Sequence, residues 1–169
     1  MSSFPAVLTA FRRILVALRA VNLVFAAAVA AGLLAWAAAP AQLAAMLGAP
    51  GASPSVVAGF ALFGVIGLCS VPLAHIVLTR LVGVIDTVRD GDPFVSGNAR
   101  RLAHMAWALL GLEVLHLLSI AVAIGASDEA HGFDWSFSVT GWLAVLLLLV
   151  LARVFEHGAR MREELEGVV

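Results

Sequence analysis

Four long runs of apolar residues, separated by short segments with Gly, Pro and charged residues, set the pattern of the sequence. A membrane-spanning helix needs about 20 mostly apolar residues, because it rises about 1.5 Å per residue through a hydrocarbon core about 30 Å thick. The four runs, 14–38, 56–78, 102–124 and 137–154, meet this requirement. The pattern predicts an all-α integral membrane protein, a four-transmembrane-helix bundle that forms one domain over 1–169.

Composition supports this class. Residues of the apolar set make up 62% of the chain and charged residues 12%, and the mean hydropathy is +1.03. Soluble domains average about 45–50% apolar and about 25% charged residues. These values exclude a soluble enzyme and a direct nucleic-acid binder. The sequence also lacks a glycine-rich phosphate loop, zinc-ligand spacing and a Ser/His/Asp set, so we expect neither catalysis nor a cofactor.

Basic residues predict the orientation. Arg12 and Arg13 precede the first run, Arg19 lies within it, four arginines separate the second and third runs, and three close or follow the fourth. The other two connections, 39–55 and 125–136, contain no Lys or Arg. Because short cytoplasmic segments are enriched in basic residues, we expect both termini and the middle connection to be cytoplasmic.

The first run also resembles a secretory signal peptide, since Arg12 and Arg13 precede it and Ala37–Ala39 supply small residues at its end. A signal core contains about 7–15 apolar residues, whereas this run covers 14–38 and includes Arg19. We therefore expect it to remain as a spanning helix.

The second and fourth spanning helices are predicted to extend into the cytoplasm. Apolar residues at helical spacing continue the second helix over Thr79–Arg89, and opposite charges four residues apart continue the fourth to Glu166. Gly91 suits the left-handed residue that ends a helix. An ordered turn at 90–95 then exposes Phe94, either as a plain connection or also as a partner contact.

Polar residues inside the spans are candidates for function, because a charge at the bilayer centre costs about 2.5–3.5 kcal/mol on insertion scales. Glu113 lies at the midpoint of the third span with His116 three residues later, and Arg19 and Asn22 lie in the first. We expect Glu113, hydrogen-bonded to Asn22 or His116, to pin the first and third spans together. The alternative is a proton or ion relay through Glu113 and His116, as in a small proton-coupled carrier or channel-like oligomer.

A second alternative is a haem or quinone protein, for which two histidines on neighbouring spans are the expected signature. His75 lies within about one turn of the cytoplasmic end of its span, whereas His116 lies about 21 Å from that side. The two therefore cannot ligate one iron, which leaves only single-histidine ligation.

Two stretches, 88–102 (VRDGDPF…NARRL) and 151–169 (LARVFEHGARMREELEGVV), carry a resemblance. They resemble the bacterial four-helix inner-membrane family of unknown function 2975, also called YoaS-like. Family tails commonly end in Glu-Gly-Thr-Val, and Val168 stands here in place of that Thr. No functional residue of the family can be carried over. The resemblance implies a bacterial inner-membrane location and a neighbouring gene for a small helix-turn-helix regulator.

Both stretches belong to the predicted cytoplasmic side, where a soluble regulator could reach them. The resemblance thus implies a small regulatory or scaffold protein that docks a cytoplasmic helix-turn-helix transcription regulator; homo-oligomerisation is a further expectation, and the bilayer itself is the other partner. A charge run of this kind is also typical of a plain solvated helix face. The candidate partner-binding residues are Asp92, Pro93, Phe94, Asn98, Arg101, Arg160, Arg162, Glu163, Glu164, Leu165 and Glu166.

Overall fold

A computed structural model of the protein describes residues 3–46, 53–126 and 138–166. Within these ranges the chain is helical and has no strand. The helices are α1 (Ser3–Ala38), α2 (Pro40–Met46), α3 (Pro54–Arg89), α4 (Ser96–Ala126) and α5 (Val139–Glu166). All except α2 contain a segment long and apolar enough to cross a membrane. The predicted all-α class is confirmed for the described residues, as are four helices that could cross a membrane, α1, α3, α4 and α5.

Local sequence signals explain where α3 begins and ends. Ser53 is its N-cap, with the hydroxyl accepting a hydrogen bond from the Val56 amide, and Pro54 occupies the first helical position. At the other end Gly91 adopts a left-handed conformation (φ +86°) and Asp92 N–H donates to the Thr87 carbonyl over 3.0 Å. The prediction that Gly91 ends the helix is confirmed.

The long helices pack in chain order. α1 packs on α3, α3 on α4, and α4 on α5. No comparable packing joins α1 to α5, or α1 to α4, among the described residues. The array is therefore an open row with α1 and α5 at its edges. This corrects the expectation of a bundle, in which the first and last helices would also meet.

Successive helices in the row are antiparallel. Two contacts, one near each end, show this for α1 and α3. Arg12 near the start of α1 pairs with Asp86 near the end of α3, while Trp36 near the end of α1 lies 5.6 Å from Phe60 near the start of α3, measured between ring centroids. The starts of α1 and α4 and the ends of α3 and α5 thus lie together. We call this the arginine-rich end, because all ten arginines lie in the halves of the helices nearest to it.

The buried core lies towards the arginine-rich end. Leu102 and Met105 of α4 and Ala152 of α5 form a buried cluster, against which Leu81 of α3 and Phe155 of α5 pack. Between helices in lipid, stability comes from such close packing rather than from the exclusion of water. The core therefore fixes the positions of α3, α4 and α5 where the turn at 90–95 joins them.

Candidate functional site

Asn98 joins the end of α3, the turn and the start of α4. Its amide nitrogen donates to Thr87 Oγ1 over 2.7 Å and to the Pro93 carbonyl over 2.8 Å, and its amide oxygen accepts from Arg101 over 2.8 Å. Asn98 is completely buried (0% exposed). This placement removes Asn98 from the surface available to a partner and gives it an internal role. We call these four residues the Asn98 network.

The side chain of Arg101, on α4, packs against α3 at Gly83. Its Nε atom lies 2.9 Å, and its Cζ atom 3.3 Å, from the position that a Cβ atom would take at Gly83. Any Cβ at position 83 would therefore displace the guanidinium, so Gly83 provides the space that Arg101 needs. The candidate Arg101 thus serves the α3–α4 interface, where it is half-buried.

Phe94 attaches the turn to α5. Its ring lies 5.3 Å from that of Phe155 between centroids, with 31° between the ring planes. Its Cδ1 atom lies 3.2 Å from where a Cβ at Gly158 would begin, so the absence of a side chain there allows the approach. Phe94 remains 47% exposed. The candidate turn and the candidate tail are therefore parts of one surface.

Ion pairs lie on two faces of α5 near this surface. Asp92 of the turn pairs with Arg162 of α5. Glu156 of α5 accepts from Arg153 over 3.1 Å and from Arg160 over 2.7 Å. These pairs are exposed, and such pairs contribute only about 0–1 kcal/mol each. They set the charge of the surface more than its stability.

The last candidates lie at the end of α5. Glu164 is exposed and helical. The side chains of Glu163, Leu165 and Glu166 lie outside the described part of the structure, although the helix itself extends to Glu166. The predicted continuation of the fourth spanning helix to Glu166 is therefore confirmed as a helix.

Inside the spans, the expected pin between Glu113 and Asn22 is not formed. Asn22 of α1 donates instead to the backbone carbonyl of Val71 in α3 over 3.1 Å. Glu113 of α4 lies against Gly141 of α5, where the Cβ of any other residue would overlap its carboxylate. The reason is the order of helices: α1 neighbours α3 in the row, and α4 neighbours α5 on its far side.

His116 and Glu113 do not form the pair on which a relay would depend. His116 is exposed, Glu113 is half-buried, and no hydrogen bond or ion pair joins the two described side chains. In the described ranges, no three His, Cys, Asp or Glu side chains group as metal ligands. The geometry therefore offers no support for the carrier or for a metal site.

Arg19 and two residues of α3 each have a buried polar atom with no hydrogen-bond partner in the described residues. These atoms are Arg19 Nε in α1, and His75 Nδ1 and Thr79 Oγ1 on one face of α3. Because Arg12 pairs with Asp86 in antiparallel helices, Arg19, seven residues further along α1, lies level with Thr79. Arg19 thus belongs to the α1–α3 interface rather than to the surface at the arginine-rich end.

Sequence reasoning missed Gly83, Phe155 and Gly158 as members of the site. Glycines at helical positions in an apolar segment do not reveal which side chain will lie over them. Phe155 had a usable signal, since it lies within the stretch 151–169 that carries the resemblance. Pairing that stretch with 88–102 requires knowledge of the helix order, which the pattern of spans does not contain.

Comparison with known proteins adds one finding. A family model described as "Protein of unknown function (DUF2975)" matches residues 50–169. The matched range includes α3, α4 and α5 and thus both stretches that meet at the arginine-rich end. No curated protein and no solved structure matches the chain.

Proposed function

We propose that this chain, which belongs to the DUF2975 family of proteins of unknown function, is a regulatory or scaffold protein of the bacterial inner membrane. In this proposal its arginine-rich end docks a cytoplasmic helix-turn-helix regulator. The observation that carries the proposal is the contact of Phe94 with Phe155 and Gly158. This contact makes the turn and the end of α5 into one preformed surface.

The distribution of arginines supports a cytoplasmic position for this surface. All ten lie in the halves of the helices nearest to one end, and basic residues favour the cytoplasmic side. A soluble regulator would therefore meet the turn and the end of α5 together.

The exposed groups at this surface suit a protein partner. Phe94 is a half-exposed aromatic ring, the Asp92–Arg162 ion pair joins its turn to α5, and α5 also carries the exposed charges Arg160 and Glu164. Interface cores are enriched in aromatic residues and Arg, and complementary charges at their rims set orientation and association rate. We assign Phe94 as the central contact and the α5 charges as the rim.

Recruitment to the membrane tests the proposal. The helix-turn-helix regulator that the family resemblance implies beside the gene is fused to a fluorescent protein and co-expressed with the full chain, and its distribution between membrane and soluble fractions is measured. We expect recruitment by the full chain and its loss with Glu164→Arg, which reverses a charge that the structure places on exposed helix. Arg13→Glu, an equally exposed charge reversal on α1, is the matched control and should leave recruitment unchanged.

A regulator that stays in the soluble fraction with the full chain would contradict the proposal. Effects of opposite sign in Glu164→Arg and Arg13→Glu would show non-specific attraction by charge instead, because the two variants change the net charge in opposite directions. Thermal unfolding of both variants in detergent confirms that the loss is not one of folding.

A further inference from the structure

A groove of about 660 Å³ runs between α4 and α5 on the outer face of the row. Its floor consists of small side chains, with Ala99 and Ala103 from α4 and Ala152 and Ala159 from α5. Ala99, Ala152 and Ala159 are buried, so the floor is formed where α4 and α5 approach closely. Its volume falls within the range of about 300–1,000 Å³ that is usual for small-molecule sites.

Basic side chains line the groove near the arginine-rich end. Arg100 comes from α4, and Arg153 and Arg160 come from α5, with Glu156 as the acidic residue among them. The lining therefore carries three guanidinium groups and one carboxyl group, a formal net charge of +2. Arg100 makes no hydrogen bond or ion pair within the described parts of the chain, and Arg153 is 83% exposed at its side chain.

Arg100 and Arg153 lie at the same level on opposite walls. Glu113 faces Gly141 across the antiparallel pair α4 and α5. Arg100 lies 13 residues before Glu113 and Arg153 lies 12 residues after Gly141, so their levels differ by about 1.5 Å. An anion placed between the walls can therefore meet both guanidinium groups.

The other end of the groove is apolar. Trp107 lies seven residues beyond Arg100 on α4, about 10 Å further from the arginine-rich end, and its ring is 64% exposed. Leu149 of α5 lines the same part. Within a spanning helix this part faces the acyl chains, and Trp is enriched at the boundary between acyl chains and headgroups.

We propose that this groove is a binding site for an anionic phospholipid. Its phosphate lies between Arg100 and Arg153, where arginine can donate paired hydrogen bonds to phosphate oxygens. One acyl chain runs over Ala103 towards Leu149 and Trp107. Basic pockets between spanning helices at the cytoplasmic side suit anionic headgroups, and the net positive lining favours them over zwitterionic ones. This inference is independent of the docked regulator.

Native mass spectrometry tests the site. The full-length chain is released from nanodiscs that contain equal amounts of phosphatidylglycerol and phosphatidylcholine, and the retained lipids are counted. We expect preferential retention of one phosphatidylglycerol. Arg100→Gln combined with Arg153→Gln should reduce the preference about 30-fold, because each arginine near an anionic lipid surface contributes close to one factor of five.

Two controls separate the site from general charge. Arg13→Gln combined with Arg89→Gln removes the same charge from exposed positions at the same end but outside the groove, and should leave retention unchanged. Ala103→Leu fills the floor without changing charge and should abolish retention of the lipid. Thermal unfolding of each variant establishes that it is folded.

Three results would overturn the proposal. The first is equal retention of the two lipids by the unaltered chain. The second is equal loss of phosphatidylglycerol in the two double variants. The third is a dimer of the unaltered chain that Ala103→Leu no longer forms, since a second copy of the chain would then occupy the groove. Glycerol 1-phosphate, which has the phosphate but no acyl chains, should not displace the retained lipid; displacement would show a site for a soluble phosphate.

Discussion

Phe94 and Phe155 are 61 positions apart in the sequence, yet their rings lie 5.3 Å apart between centroids. One belongs to the turn after α3 and the other to the part of α5 beyond its apolar run. The turn is thus supported on one side by the Asn98 network and on the other by α5. The end of α5 therefore contacts the turn at 90–95, the connection between the second and third spans, and does not project alone.

Phe94→Ala should loosen the end of α5. The aromatic pair contributes about 0.5–1.5 kcal/mol beyond its buried area, and its loss leaves the exposed Asp92–Arg162 ion pair as the contact described between the turn and this segment. Hydrogen exchange of the purified chain should show faster deuterium uptake over residues 155–162. Phe11→Ala removes an equally exposed ring from the same end and should leave that uptake unchanged; an equal increase in both variants would contradict the role of the pair.

Thr87→Val should lower the free energy of unfolding by about 1–3 kcal/mol, because it leaves a buried Asn98 N–H without its acceptor. Thr79→Val makes the same change two turns earlier on α3, at a hydroxyl with no partner among the described residues. It should be neutral or stabilising, since the hydroxyl lost is already unsatisfied. Unfolding in detergent, compared between the two variants, provides the measurement. Equal destabilisation would show that the Asn98 network does not stabilise the end of α3.

Gly141→Ala should destabilise the α4–α5 interface only while Glu113 is present. The new Cβ takes the space of the carboxylate, which must then move away from α5. In a double-mutant cycle with Glu113→Ala, we expect a coupling free energy of about 0.5–3 kcal/mol. Gly32→Ala, which meets no atom within 4 Å, is the control and should be slightly stabilising because Ala favours helix over Gly. If the changes in unfolding free energy of Gly141→Ala and Glu113→Ala add strictly in the double variant, Glu113 and Gly141 are not coupled by packing.

Reporter fusions test the orientation. Fusions after Gly51 and Ala130 should report the periplasmic side, and fusions after Gly91 and Val169 the cytoplasmic side, because the arginines flank only the latter segments. A cytoplasmic signal from either of the first two would contradict the arrangement of four spans. In a further variant, Arg12 and Arg13 are moved to the 39–55 connection. If the fusion after Gly51 then loses its periplasmic signal, the arginines determine the orientation.

The spans and the turn could be predicted because their causes are local. Length and hydropathy identify a spanning helix whatever its neighbours, and Gly91 ends α3 through its own backbone conformation. The partners of Glu113 and Asn22 could not be predicted in this way. They depend on which helices are adjacent. The sequence indicates how deep a residue lies along the membrane normal, but all four spans contain residues at that depth, so depth does not identify the neighbouring helix.

Asn98 shows the same limit within the candidate site. Its position beside a charged turn favoured an exposed role, but the amide is the group that satisfies the carbonyl of Pro93 and the hydroxyl of Thr87 in the interior. A short polar side chain near a helix start can serve either purpose. Only the return of α4 along α3 decides that it is buried.

The packing of helices in chain order has a consequence for biosynthesis. Every interhelical interface described joins a helix to its neighbour in sequence, with α2 as a short appendage of α1. Such a topology has low contact order, which favours rapid folding, and chains form their N-terminal parts first during translation. The α1–α3 and α3–α4 interfaces can thus assemble before α5 leaves the ribosome. The turn at 90–95 can make its contact with α5 only after α5 is synthesised, so the Phe94–Phe155 contact forms after the α1–α3 and α3–α4 interfaces.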